Sequence, residues 1–160
     1  MSFNINLFES VISFLLPERC LSCGKTGVSL CTPCAAALPR GFSPDGKTVV
    51  SLRYDDGKVR RALKLFKYRN RRGLSEVFAA ILLDTLREEL AELKLVKNFT
   101  KPVLVPIPIS AKRFRKRGYN QTELIAEKLS ELFEGKLPLS RGVLVKTKDT
   151  ESQVQARSRR

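Results

Sequence analysis

Apolar residues return at three- and four-residue intervals along four stretches of the chain and gather into short unbroken runs along three others. The two patterns predict different elements. Phe3, Leu7, Phe8, Val11, Ile12 and Leu15 form one stripe of an amphipathic helix over residues 1–16. Val59, Ala62, Leu63 and Phe66 do the same from Lys58 to about Tyr68, and Leu74, Val77, Phe78, Ile81, Leu82 and Leu86 from Leu74 to Leu93. A fourth helix is expected from Asn120 to Phe133, with Leu124, Ile125, Leu129, Leu132 and Phe133 on its buried side.

The unbroken runs read as strands. Thr48–Tyr54 is rich in β-branched and apolar residues and is stopped by Asp55, Asp56 and Gly57. Val103–Val105 is bounded by Pro102 and Pro106, as a short buried parallel strand would be, and Gly142–Lys146 is the third run. Strand, basic loop, helix and strand in that order make a βαβ unit, so the expected fold class is α/β with a thin parallel sheet. Between the first two helices lie a cysteine module over residues 17–41 and a Gly- and Pro-containing linker over Arg40–Lys47, placing the larger domain at residues 48–160.

Charge changes the picture most. Thirty Lys and Arg against sixteen Asp and Glu leave a formal net charge of +14 on 160 residues, a field that attracts polyanions. The excess is clustered. Lys58–Arg72 holds eight basic residues and no acidic one, with Phe66 and Tyr68 between them, so Lys67, Tyr68 and Arg69 are candidates for neutralising phosphates while an aromatic ring stacks on a base. A solvated helix face is the plainer reading of the same strip, because Phe66 shares the core stripe with Leu63.

The second cluster, Lys112, Arg113, Arg115, Lys116 and Arg117 followed by Gly118, Tyr119, Asn120 and Gln121, falls between the expected strand and helix. Open α/β sheets bind ligands at that place, and helix amides there attract phosphate. Asn120 and Glu123 also have the spacing of an N-cap and its partner, so Asn120 has a structural reading beside the ligand-binding one.

Cys20 and Cys23 are separated by two residues, as are Cys31 and Cys34, with seven residues between the pairs. Four thiolates at that spacing can close a tetrahedron around zinc, with no position open for a water, which makes the ion structural. A disulfide pair or a redox dithiol is the alternative. The chain shows no signal peptide and no run of the roughly 20 apolar residues that a membrane span needs, so a reducing, cytoplasmic location is expected. Histidine is absent, which removes the commonest general base, and no Walker phosphate loop occurs.

The double CxxC, "LKLFKYR", "VPIPISAKRFRKRGYNQ" and "TESQ" together resemble the ComF family of competence-related, phosphoribosyltransferase-like proteins. The resemblance implies a zinc ribbon fused to a type I phosphoribosyltransferase-like α/β domain, DNA uptake during natural transformation, and a helicase partner. It places Lys67 and Tyr68 at the family's Lys-Tyr and Pro106 and Pro108 in its pyrophosphate-side loop. Arg113, Arg117, Gly118, Asn120 and Gln121 fall in its Arg-Gly-x-Asn-Gln motif, and Thr150 and Gln153 start its mobile loop. The family's acidic pair and Thr/Gly-rich phosphoribosyl pyrophosphate loop have no counterpart here. The expectations are therefore a domain lacking its ligand loop, which binds single-stranded DNA or a phosphorylated ligand, or an active transferase, with magnesium, completed by a further segment. A zinc-ribbon nucleic-acid adaptor is the third.

Overall fold

The computed structural model describes residues 17–43 and 48–149; the expected helix over 1–16 and the positions Thr150 and Gln153 lie outside them. Among the described residues five helices follow one another: α1 (Thr32–Ala36), α2 (Gly57–Tyr68), α3 (Leu74–Lys97), α4 (Ala111–Arg117) and α5 (Gln121–Leu132). Asp56 starts α2, its carboxylate accepting from the amides of Lys58 and Val59 at 2.8 and 2.9 Å, and thereby satisfies two donors that a helix start leaves orphaned. The stripe read from the sequence is the buried one, with Val59, Ala62 and Phe66 inside.

α3 is 24 residues long, yet its buried residues, Leu74, Ser75, Phe78, Ala79 and Ile81, all belong to its first eight. Beyond them the helix leaves the core, and Leu95 and Val96 are 86% and 72% exposed. α5 packs along α3. Phe66 sits at the centre, its ring 5.5 Å from that of Phe78 and 5.9 Å from that of Tyr119, and the Tyr119 hydroxyl donates to the Phe66 carbonyl. Cys20, Leu21, Leu30, Cys31 and Leu38 belong to the same hydrophobic cluster as Val59, Phe66, Leu74, Phe78 and Ile81, so the cysteine module packs directly on the helices.

The expected parallel sheet is not there, and the phosphoribosyltransferase-like α/β class is corrected to a helical fold. Among the described residues no sheet forms; two isolated bridges occur, antiparallel between Arg19 and Thr26 and parallel between Leu104 and Leu139. The reason lies in the donors. Pro102, Pro106 and Pro108 bring no N–H to a ladder, which leaves the Val103–Val105 run with one short pairing: Leu104 donates to Pro138 O and accepts from Ser140 N, both at 2.8 Å. Its partner is residues 138–140, and the expected strand Gly142–Lys146 carries no bridge and exposes Val143, Leu144 and Val145. Three short apolar runs without a continuous ladder fall below what a free-standing sheet requires.

Residues 48–54 are also unbridged. They cross Gly41 so closely that a Cβ there would lie 2.8 Å from Leu52 O, which only glycine tolerates. The basic loop expected over Lys112–Arg117 is a helix, started by Ser110, whose hydroxyl accepts from Arg113 N, and ended by Gly118 in the left-handed region. The Ser110 cap and the Gly118 stop make the segment helical in spite of its five cations.

Candidate metal centre and basic surface

The cysteine module begins with a knuckle. Cys20 N donates to Lys25 O at 2.8 Å and Gly24 N to Cys20 O at 3.0 Å, and Gly24 takes a φ of +76°, which turns the chain back under the first cysteine pair. The second pair is presented by α1: Cys31 precedes its first residue, Pro33 sits where a helix start needs no N–H, and Cys34 lies on its first turn.

The four sulfur atoms thereby lie within 4.8 Å of one another, close enough to hold a metal ion such as zinc. Cys31 Sγ is 3.7 Å from Cys20 Sγ and 3.6 Å from Cys23 Sγ. A zinc ion with Zn–S bonds of about 2.3 Å requires tetrahedral edges of about 3.8 Å, whereas a disulfide requires about 2.05 Å. No disulfide joins them. Burial pushes the Cys20 thiol up, but hydrogen bonds from the backbone at Cys23, Cys31 and Ser22 and from the Cys23 side chain outweigh it and bring the pKa to about 6. Backbone dipoles that stabilise a thiolate are what a thiolate ligand needs.

The candidate anion-binding residues divide into two groups. Lys67, Tyr68 and Arg69 are exposed at the end of α2, and Lys112, Arg115 and Lys116 are exposed on α4. Arg117 joins the two segments: its guanidinium lies 5.1 Å from the Tyr68 ring centroid, and its Nη1 donates to Gln121 Oε1 at 2.9 Å. Tyr68 is 56% exposed and keeps ring surface toward solvent. A parallel pair stands beside it, with the Arg72 guanidinium 4.9 Å from the Tyr119 ring. Burial raises the Tyr119 pKa, against the Gln121 hydrogen bond and the nearby Arg72 and Arg117 charges. Each guanidinium lies over a ring and is held by one further hydrogen bond, Arg117 to Gln121 and Arg72 Nε to Asn70 Oδ1.

Asn120 and Gln121 are buried. Asn120 Oδ1 accepts from Thr122 N and Thr122 Oγ1, and its Nδ2 donates to Ile107 O, so it both starts α5 and ties it to the proline-rich segment. Glu123 does not reach back to it; Arg141 holds Glu123 at 2.7 Å and Glu127 at 2.5 Å. Arg113 and Lys112 lie at the other end of α4 from Arg117, near Asp149. The Ser110 hydroxyl first, and then the Lys112, Arg113 and Lys146 charges, hold the Asp149 carboxyl below its usual range. Arg72 was not among the individual candidates, although it closes the basic strip; only its position against Tyr119, across the fold, distinguishes it.

Among the described residues the four cysteines are the one group of three or more candidate metal ligands, so the magnesium expected beside phosphoribosyl pyrophosphate finds no support. No described helix is long and apolar enough to cross a membrane. No family model, curated protein or solved structure matches this chain.

Proposed function

We propose that the chain is a zinc-stapled helical protein that binds nucleic acid, or another phosphorylated ligand, through the basic surface shared by α2 and α4. Cys20, Cys23, Cys31 and Cys34 hold the zinc. With all four positions taken by thiolates the ion is structural, supplying folding energy of about 10–16 kcal/mol to a module with few apolar side chains of its own. The thiolate set suits a reducing compartment, which supports a cytoplasmic location.

The observation that carries the anion-binding reading is the Tyr68–Arg117 pair. It brings two basic segments, far apart in sequence, onto one surface with an exposed aromatic ring between them. A polyanion passing over it meets the cations of both segments, and one unpaired base can stack on Tyr68. The motifs shared with the ComF family support a place in DNA handling during natural transformation, beside a helicase. They do so without a transferase fold.

The test is the affinity of the zinc-loaded protein for a fluorescein-labelled single-stranded oligonucleotide across a salt series. Binding should fall steeply with salt, and Tyr68→Ala should weaken it by about 5- to 150-fold, the range of one base–aromatic stack. Arg117→Ala should weaken it and flatten the salt slope by about one counterion. Affinity independent of salt, or unchanged in both variants, would remove the reading.

A further inference from the structure

A single acidic side chain connects the four-sulfur cluster with the basic surface. Glu18 precedes the first metal-ligand pair by two residues, and its carbonyl accepts from Gly27 N at 2.7 Å, across the knuckle. Its carboxylate accepts from the Ser29 hydroxyl, and its Oε2 lies 3.3 Å from Arg71 Nη1. Ser29 is buried, and its carbonyl accepts from Leu21 N at 3.0 Å, so the knuckle fixes Glu18 from two sides. Arg71 belongs to the turn between α2 and α3. Its Nη1 is shut off from solvent and makes no hydrogen bond of good geometry, which leaves the Glu18 carboxylate as its compensation.

The same turn carries Arg69 and Arg72. It is tightly built: Arg72 Nε donates to Asn70 Oδ1 at 2.9 Å, Ser75 Oγ donates to Arg72 O at 2.7 Å, and Asn70 takes a φ of +51°. A displacement of Arg71 is therefore passed to Arg72, which stacks on Tyr119, whose hydroxyl donates to Phe66 O two residues before Tyr68. The strip Lys58–Arg72 contains no acid of its own. Glu18 is the anion that the metal module lends to it.

We infer that Glu18 is a positioning residue that couples the metal cluster to the anion-binding surface, so that metal occupancy regulates polyanion affinity. The inference rests on the anion-binding reading above. A closed cluster fixes the knuckle, the knuckle fixes Glu18, and Glu18 holds the α2–α3 turn in the arrangement that presents Arg69 and Arg72. An open cluster releases the turn, and binding must then order it again, which lowers affinity. Thermodynamic reciprocity requires the converse: a bound polyanion must tighten the hold on the metal by the same factor.

The experiment measures both arms on the full chain. Zinc transfer to a chromophoric chelator is followed at equilibrium with and without saturating single-stranded oligonucleotide, and oligonucleotide affinity is measured by anisotropy. For the unaltered chain the oligonucleotide should strengthen zinc retention at least about 5-fold, the lower end of typical coupling. In Glu18→Gln one zinc should still bind, with that strengthening abolished and oligonucleotide affinity reduced by the same factor. Arg71→Gln breaks the bridge from outside the module and should abolish the strengthening too, a readout that loss of one surface charge does not move. It also stands in should Glu18→Gln fail to fold. Oligonucleotide binding with zinc retention unaffected would overturn the coupling and leave the anion-binding surface intact. Absence of oligonucleotide binding would overturn both.

Discussion

The cysteine module over 17–39 and the proline-rich segment over 102–109 both hold little regular structure, and they are held in opposite ways. The module folds onto itself. Its turns are closed by its own backbone hydrogen bonds and its four sulfurs converge within 4.8 Å, while Cys20, Leu21, Leu30 and Cys31 face the helical core. The proline-rich segment depends on others: two backbone hydrogen bonds at Leu104, and the two bonds that Asn120 and Thr122 give to Ile107 O. Its Val103 and Ile107 remain exposed. Prolines stiffen both regions. In the module Pro33 occupies a helix start where no N–H is needed, whereas in the segment three prolines remove donors that a sheet would have used.

That contrast sets an order of effects. Cys31→Ser takes a thiol from the four-cysteine cluster, where Cys31 Sγ lies 3.7 and 3.6 Å from two other sulfurs, and the module should unfold. The loss should be a large part of the roughly 10–16 kcal/mol of the module's metal-coupled folding, read as loss of zinc stoichiometry and a lowered thermal transition of the helical body. Phe66→Ala empties the centre of the helical core and should cost about 3–5 kcal/mol by denaturant titration while zinc remains bound. Tyr119→Phe leaves the buried Phe66 carbonyl without its donor and should cost about 1–3 kcal/mol in the same titration. Leu104→Ala, on the half-exposed and barely paired segment, should cost less than any of these, about 1 kcal/mol. A cost there equal to that of Phe66→Ala would mean that the segment is part of the core and not a dependent of it.

The same contrast explains what could be read from the chain before folding. Helices α2, α3 and α5 were legible because their stripes and starts are local: Asp56 before Val59 and Ala62, and Asn120 before Leu124. The convergence of the four cysteines was legible for the same reason, since two CxxC pairs need only a short turn and α1 to meet. The sheet was misread because an apolar run such as Val103–Val105 declares only that it is apolar. Whether it pairs depends on partners elsewhere and on donors that Pro102, Pro106 and Pro108 lack.

α4 was misread as a loop because five cations hid the Ser110 cap and the Gly118 stop that bracket it. Of the candidate anion-binding residues, the chain pointed to Tyr68 and Arg117 separately. That the two stack on one another, with Arg72 on Tyr119 beside them, is a product of the tertiary fold. Glu18 carried no local signal at all, being one acid next to a cysteine pair until the fold brings Arg71 to it.

The claim on which the rest depends is that the four thiols of the native protein are occupied by one metal ion. Elemental analysis of the freshly purified, tag-free chain, combined with thiol titration before and after denaturation, tests it directly. The account predicts one zinc per chain, with the four thiols unreactive in the native state and all reactive once the metal is chelated. A native protein without bound metal and with four freely reactive thiols would contradict it.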